Sequence, residues 1–148
     1  MFTLEKAIIK KYWPADDKGE DDLVVRQVVI QAEAEIEDGS QLSELYKNMV
    51  RGLNRLLILD NLSGEEYELA AVTLKPFNIK QKKITVGKGE ENEYLKQEYA
   101  ALTLVCRAPD DDGARVLAEL YRFFNIEVQL TFEVFLQPKE KKGAKSKD

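Results

Sequence analysis

The chain has 148 residues, 44% of them apolar and 33% charged, with a formal net charge of −5. This composition excludes an intrinsically disordered chain and suffices for one folded domain. Histidine is absent and there is one cysteine, Cys106, which excludes histidine-based triads, histidine-ligated zinc and an internal disulfide.

The charge is uneven. Residues 138–148 hold five lysines against Glu140 and Asp148, a local +3, so residues 1–137 carry −8. An acidic body argues against general electrostatic binding to duplex DNA. Charges interrupt the apolar residues of the N-terminal MFTLEKAIIKKYW, so no secretory leader is expected there. No apolar run approaches the length of a membrane span. A cytoplasmic protein without membrane contact is the expectation.

In chain order, residues 2–13 read as a strand, with helical spacing of Leu4, Ile8 and Tyr12 as the competitor. Pro14–Asp22 is a polar loop. The next segment, LVVRQVVIQAEAEI, places Val24, Val28, Ile30, Ala32, Ala34 and Ile36 on one face, which predicts a long strand. Asp38-Gly39-Ser40 then opens a helix, with Asp38 or Ser40 as N-cap. Its apolar positions run Leu42, Leu45, Tyr46, Met49, Val50, Leu53, Leu56, Leu57. A turn at Asn61–Gly64 leads to the strand EYELAAVTLKP, and residues 77–95 continue as an extended, lysine-rich segment with a turn near 87–92. QEYAALTLVCRA is a strand. Asp110-Asp111-Asp112-Gly113 opens a second helix, with Val116, Leu117, Leu120, Tyr121 and Phe124 as its stripe. Residues 126–136 alternate as a final strand, and 138–148 read as a disordered, lysine-rich tail beyond a single domain at 1–137.

Asp38-Gly39 followed by Glu44-Leu45-Tyr46-Lys47 resembles Asp112-Gly113 followed by Glu119-Leu120-Tyr121-Arg122. This reads as a duplicated β-α-β unit. Two such units give the ferredoxin-like order β-α-β-β-α-β. The expected fold is therefore α+β: an antiparallel sheet with two helices on one face, plus an N-terminal strand.

No catalytic constellation stands out. The acidic loops Asp16–Asp22 and Asp110–Asp112 miss EF-hand spacing and read as a solvated loop and a helix start. Cys106 alternates with Leu102 and Leu104, as a small buried hydrophobe does. No serine sits in a nucleophile elbow and no phosphate loop is present. No cofactor and no metal ion is expected. The one suggestive local feature is basic. Lys75, Lys80, Lys82, Lys83 and Lys88 surround Phe77 with no acid between 75 and 88, a pattern suited to tracking a single-stranded nucleic-acid backbone while Phe77 stacks on a base. The competing reading is a lysine-decorated edge that discourages sheet-to-sheet aggregation. The strand 66–74 is apolar on both faces, and Val25, Val29 and Phe135 lie on nominally wet faces, which argues for a covering partner.

Three functions follow, in order of preference. The first is a non-enzymatic binding or assembly protein, a homo-oligomer or one with a protein partner. The second is a single-stranded nucleic-acid accessory protein using the basic segment, and the third a metal-dependent carboxylate enzyme.

Overall fold

The computed structural model describes residues 1–18, 24–86, 93–109 and 112–134, with the backbone alone at 83–86 and 93–96. Its elements are β1 (Phe2–Pro14), β2 (Asp17–Lys18), β3 (Val24–Val25), β4 (Gln27–Ile36), α1 (Gly39–Arg51), β5 (Asn54–Asp60), β6 (Glu66–Leu74), β7 (Asn78–Val86), β8 (Glu93–Arg107), α2 (Gly113–Tyr121) and β9 (Glu127–Val134). The expected tail at 138–148, and Phe135, lie outside the described residues.

The strands pair in the order β4-β1-β9-β5-β6-β8-β7, and β4 also pairs with β8. That last ladder, running from Gln27 opposite Arg107 to Ile36 opposite Glu98, closes six strands into a ring. Every ladder of the ring is antiparallel. The molecule is a closed barrel, and β2 and β3 form a small separate ribbon.

The ferredoxin-like expectation is therefore wrong, and so is the placing of both helices on one sheet face. Two findings overturn it. First, α1 ends at Arg51, because Gly52 takes a positive φ of 93° that terminates the helix. The apolar run that follows is not a continuation of the helix. It forms β5, which pairs with β6 and β9. Second, the sheet curls until its inner face is filled by its own side chains, as in other small barrels. No open face remains for helices. Instead α1 leaves β4 at Ile36 and α2 leaves β8 at Arg107, which are opposite ends of the β4–β8 ladder. Leu45 of α1 and Val116 and Leu120 of α2 join the interior cluster from those two ends.

The interior is read directly from the alternation. Val28, Ile30, Ala32, Ala34 and Ile36 of β4, Ala100, Leu102, Leu104 and Cys106 of β8, and Val128, Leu130 and Phe132 of β9 are all buried. In β6 the buried set is Leu69, Val72 and Leu74, and in β1 it is Leu4, Ala7 and Ile9. Both break the two-residue period by one residue. The cause is a β-bulge in each strand, between Leu4 and Ala7 opposite β9 and between Leu69 and Val72 opposite β5. A bulge inserts one unpaired residue, shifts the phase and increases twist, which helps a sheet close. The apparent two-faced apolarity of β6 is thus one buried face seen through a bulge. Val29 is also covered by its own chain, at 9% exposure.

The pairing scheme maps onto itself when β1, β4, α1 and β5 are exchanged for β6, β8, α2 and β9. The bulges correspond, and β7 continues the line of β6 along β8 as the second half of β1 runs along β4. Asp38 and Asp112 cap the two helices, accepting from the backbone N–H of Ser40 and of Arg115. The unit that corresponds is β-β-α-β rather than β-α-β.

Candidate functional site

Residues directly opposite each other in an antiparallel ladder share a face. On the outer face, Glu33 of β4 lies opposite Ile8 of β1 and Ala101 of β8, and Gln31 lies opposite Thr103. Beyond them, Lys80 of β7 lies opposite Tyr99, and Lys82 opposite Gln97. Ala101 is small, so long side chains from β7 can cross β8 and reach β4. Lys82 Nζ donates to Glu33 Oε1 at 2.8 Å, and Lys80 Nζ lies 3.9 Å from Oε2. The Lys82 ammonium is also 4.6 Å from the centre of the Tyr99 ring, within cation–π range.

These contacts set the electrostatics. The hydrogen bond from Lys82, reinforced by the charges of Lys82, Lys10 and Lys80, holds the Glu33 carboxyl below the usual carboxylate range. The same hydrogen bond raises Lys82 above an ordinary lysine. A shallow cavity of about 230 Å³ lies beside the cluster, lined by Lys10, Gln31, Pro76, Asn78, Lys80 and Thr103 among others.

The structure therefore joins some of the basic residues and separates others. Lys80 and Lys82 meet at Glu33. Lys75 is exposed where the chain steps from β6 to β7, and its backbone N–H donates to Thr103 O at 2.9 Å. Phe77 turns toward α1, its ring centre 5.1 Å from that of Tyr46. Lys83 lies in β7 opposite Lys96, its side chain outside the described set, and Lys88 lies outside the described residues. Sequence reasoning missed Glu33, Lys10 and Tyr99 as neighbours of the lysines. No local signal announces them, because their meeting depends on β8 lying between β4 and β7.

A second surface lies on α1. Leu45 and Asn48 are buried, but Tyr46 is 56% exposed and Val50 79% exposed. Leu53, just past the helix, is 40% exposed. The apolar stripe expected from the sequence is wider than the barrel end it covers, and its outer half stays in water.

The remaining constellations have structural partners. Asp16 accepts from Arg26, and residues 20–22 lie outside the described set. Asp112 caps α2, and 110–111 are likewise outside it. Cys106 Sγ donates to Val28 O at 3.2 Å, and burial pushes its thiol up to about 11. Ser40 and Ser63 donate to Asp38 and Asp60 in turns. A cavity of about 340 Å³ near the start of α2 is lined by Tyr67, Glu68, Pro109, Asp112, Arg115 and Val116. Among the described residues, no three Cys, Asp or Glu side chains come together to hold a metal ion. Nor, among them, is any helix long and apolar enough to cross a membrane. Compared with known proteins, the chain matches no protein-family model, no curated protein and no solved structure.

Proposed function

We propose that this chain works by binding, as a non-enzymatic assembly protein that associates with a second copy of itself through the outer side of α1. One observation carries the reading. Tyr46 and Val50 stand exposed on adjacent turns of α1, with Leu53 beyond them and Phe77 beneath Tyr46. The inner side of the helix is already seated on the barrel end by Leu45, and packing among the described residues leaves Val50 79% exposed. Fully burying a side chain of valine size gains about 1.5 kcal/mol or more, and a two-fold pairing sets the same apolar patch of each copy against that of the other, so every such contact is made twice.

Size-exclusion chromatography with light scattering tests this on the whole chain. The expected result is a mass above that of one chain at tens of micromolar, reduced to one chain by Val50→Glu. That side chain is solvent-exposed, so the substitution leaves the fold intact, as circular dichroism should verify. A single-chain mass for the unaltered protein at high micromolar concentration refutes the reading.

The single-stranded nucleic-acid reading has less to stand on. Phe77, the residue expected to stack on a base, already packs against Tyr46 with its ring tilted by 50°. Nothing specific favours a metal-dependent carboxylate enzyme.

A further inference from the structure

β7 is the last strand of the sheet. It pairs with β8 along its length, from Asn78 opposite Ala101 to Val86 opposite Glu93. Among the described residues no strand lies on its other side. β4 stops at Ile36 opposite Glu98, so the distal part of the β7–β8 hairpin projects past the barrel with only its own two strands. A two-stranded ribbon is marginal alone in water, and an open edge presents a row of unclaimed backbone donors and acceptors.

The two faces of β7 differ. Lys80 and Lys82 share the outer face with Tyr99, while Ile79, opposite Ala100 and 40% exposed, shares the other face with Gln81, whose amide donates to Glu98. One carboxylate, Glu33, answers both lysines, and Lys10 adds a further positive charge nearby. Lysines on an edge ordinarily repel another strand. Here they repel a basic strand, such as a second β7, and attract an acidic one.

We propose that the β7 edge binds an extended peptide in which acidic and apolar residues alternate. The peptide adds as a further strand, its main chain pairing with β7. Its carboxylates lie over Lys80 and Lys82, and its apolar side chains lie on the side of Ile79. Main-chain pairing supplies the affinity and the alternating faces supply the selectivity. The two surfaces adjoin at Phe77, so the peptide is also titrated into Val50→Glu, where binding at the β7 edge should persist when self-association through α1 is lost.

The test is fluorescence anisotropy with the full chain and a labelled, capped octapeptide of alternating Glu and Val. Comparators are a peptide of the same composition with Glu and Val in separate blocks, and two alternating peptides N-methylated on one edge or the other. The alternating peptide should bind saturably. The blocked peptide and one of the two methylated peptides should bind about tenfold more weakly or worse, and the other methylated peptide should bind unchanged. The double variant Lys80→Glu/Lys82→Glu should lose the acidic peptide and gain a Lys–Val one. The methylated peptides need no variant, so misfolding of the double variant cannot rescue or sink the proposal. Absence of binding, or equal binding of all four acidic peptides, overturns it. So does protection from hydrogen exchange, in peptide-free protein, of the β7 amides that point away from β8, which would assign the edge to a second copy.

Discussion

Asn54 is the most exacting test of how the barrel is joined to its helices. It is fully buried at the first position of β5, opposite Val72 and Val134. Its Nδ2 donates to the backbone carbonyl of Asn48 in the last turn of α1 at 2.9 Å, with Val72 O at the outer limit of 3.5 Å. Its Oδ1 accepts from Arg51, which also reaches Asn48 Oδ1 at 3.0 Å. Helix ends leave carbonyls without intrahelical partners, and this side chain supplies one in a place closed to water. In Asn54→Ala the Arg51 guanidinium keeps Asn48, but the Asn48 carbonyl is stranded. An unpaired buried carbonyl costs about 1–3 kcal/mol, and the small cavity adds to it, so a loss of about 3 kcal/mol is expected. Urea unfolding followed by circular dichroism reads this as a lower midpoint at unchanged slope. Asn61→Ala is the control: that amide bonds to Glu5 O and Glu127 at the surface and should cost only about 0.5 kcal/mol. Equal, small losses for the two variants would show that Asn54 does not clamp the helix end.

Three further outcomes follow from the same structure. Phe132 is 1% exposed and packs against Phe2 with ring centres 6.2 Å apart, so Phe132→Ala should cost about 3–5 kcal/mol in urea unfolding, and a loss below about 1 kcal/mol would contradict the closed core. Cys106, buried and with its thiol pushed up to about 11, should react with a disulfide reagent at neutral pH only after denaturant is added; rapid labelling of the folded protein would refute its burial. The Glu33–Lys82 pair sets a pH window. Glu33 is held below its ordinary value, so its contribution is present above the unfolded carboxyl pKa and lost as pH falls through the folded one. Lys82 is held above its ordinary value, so its contribution is present below the unfolded amine pKa and lost as pH rises through the folded one. Glu33→Gln should therefore lower stability at neutral pH, by about 1 kcal/mol or less for so exposed a pair, and the gap should close in acid and in strong base. A gap of the same size at about pH 2 would dismiss the ion pair as its cause.

The alternation of β8, of Val28–Ile36 in β4 and of Val128–Phe132 in β9 reads correctly from the residues, and so do the two helix starts at Asp38 and Asp112, whereas Val24 and Val134, expected on the buried faces, are 44% and 48% exposed. Closure does not read from the residues. A strand with one apolar face looks the same whether that face lines a barrel or lies beneath two helices. The decisive segment, Asn54–Asp60, carries Leu56, Leu57, Ile58 and Leu59 in succession, which suits the end of a helix as well as a strand buried between neighbours. Gly52 was the available signal that the helix stops first. In β1 and β6 the extra bulge residue blurs the period, so Leu4-x-x-Ala7 and Leu69-x-x-Val72 imitate other patterns. For the candidate site, the lysines of β7 are plain in the sequence, but their engagement with Glu33 is not. That contact spans β8 and follows from strand order, which local pattern does not encode.

The correspondence between the two halves makes the order in which they are translated immaterial to the finished ring. Phe2 lies opposite Phe132, so the first and last strands are already neighbours. The link between β5 and β6 is a short surface turn in which Leu62 is 97% exposed and Gly64 takes a positive φ of 79°. Opening the chain at that turn and tethering β9 to β1 would exchange leading half for trailing half while every ladder kept its partner. The closed wall thus keeps the same ladders whichever half leads, because its first and last described strands lie side by side.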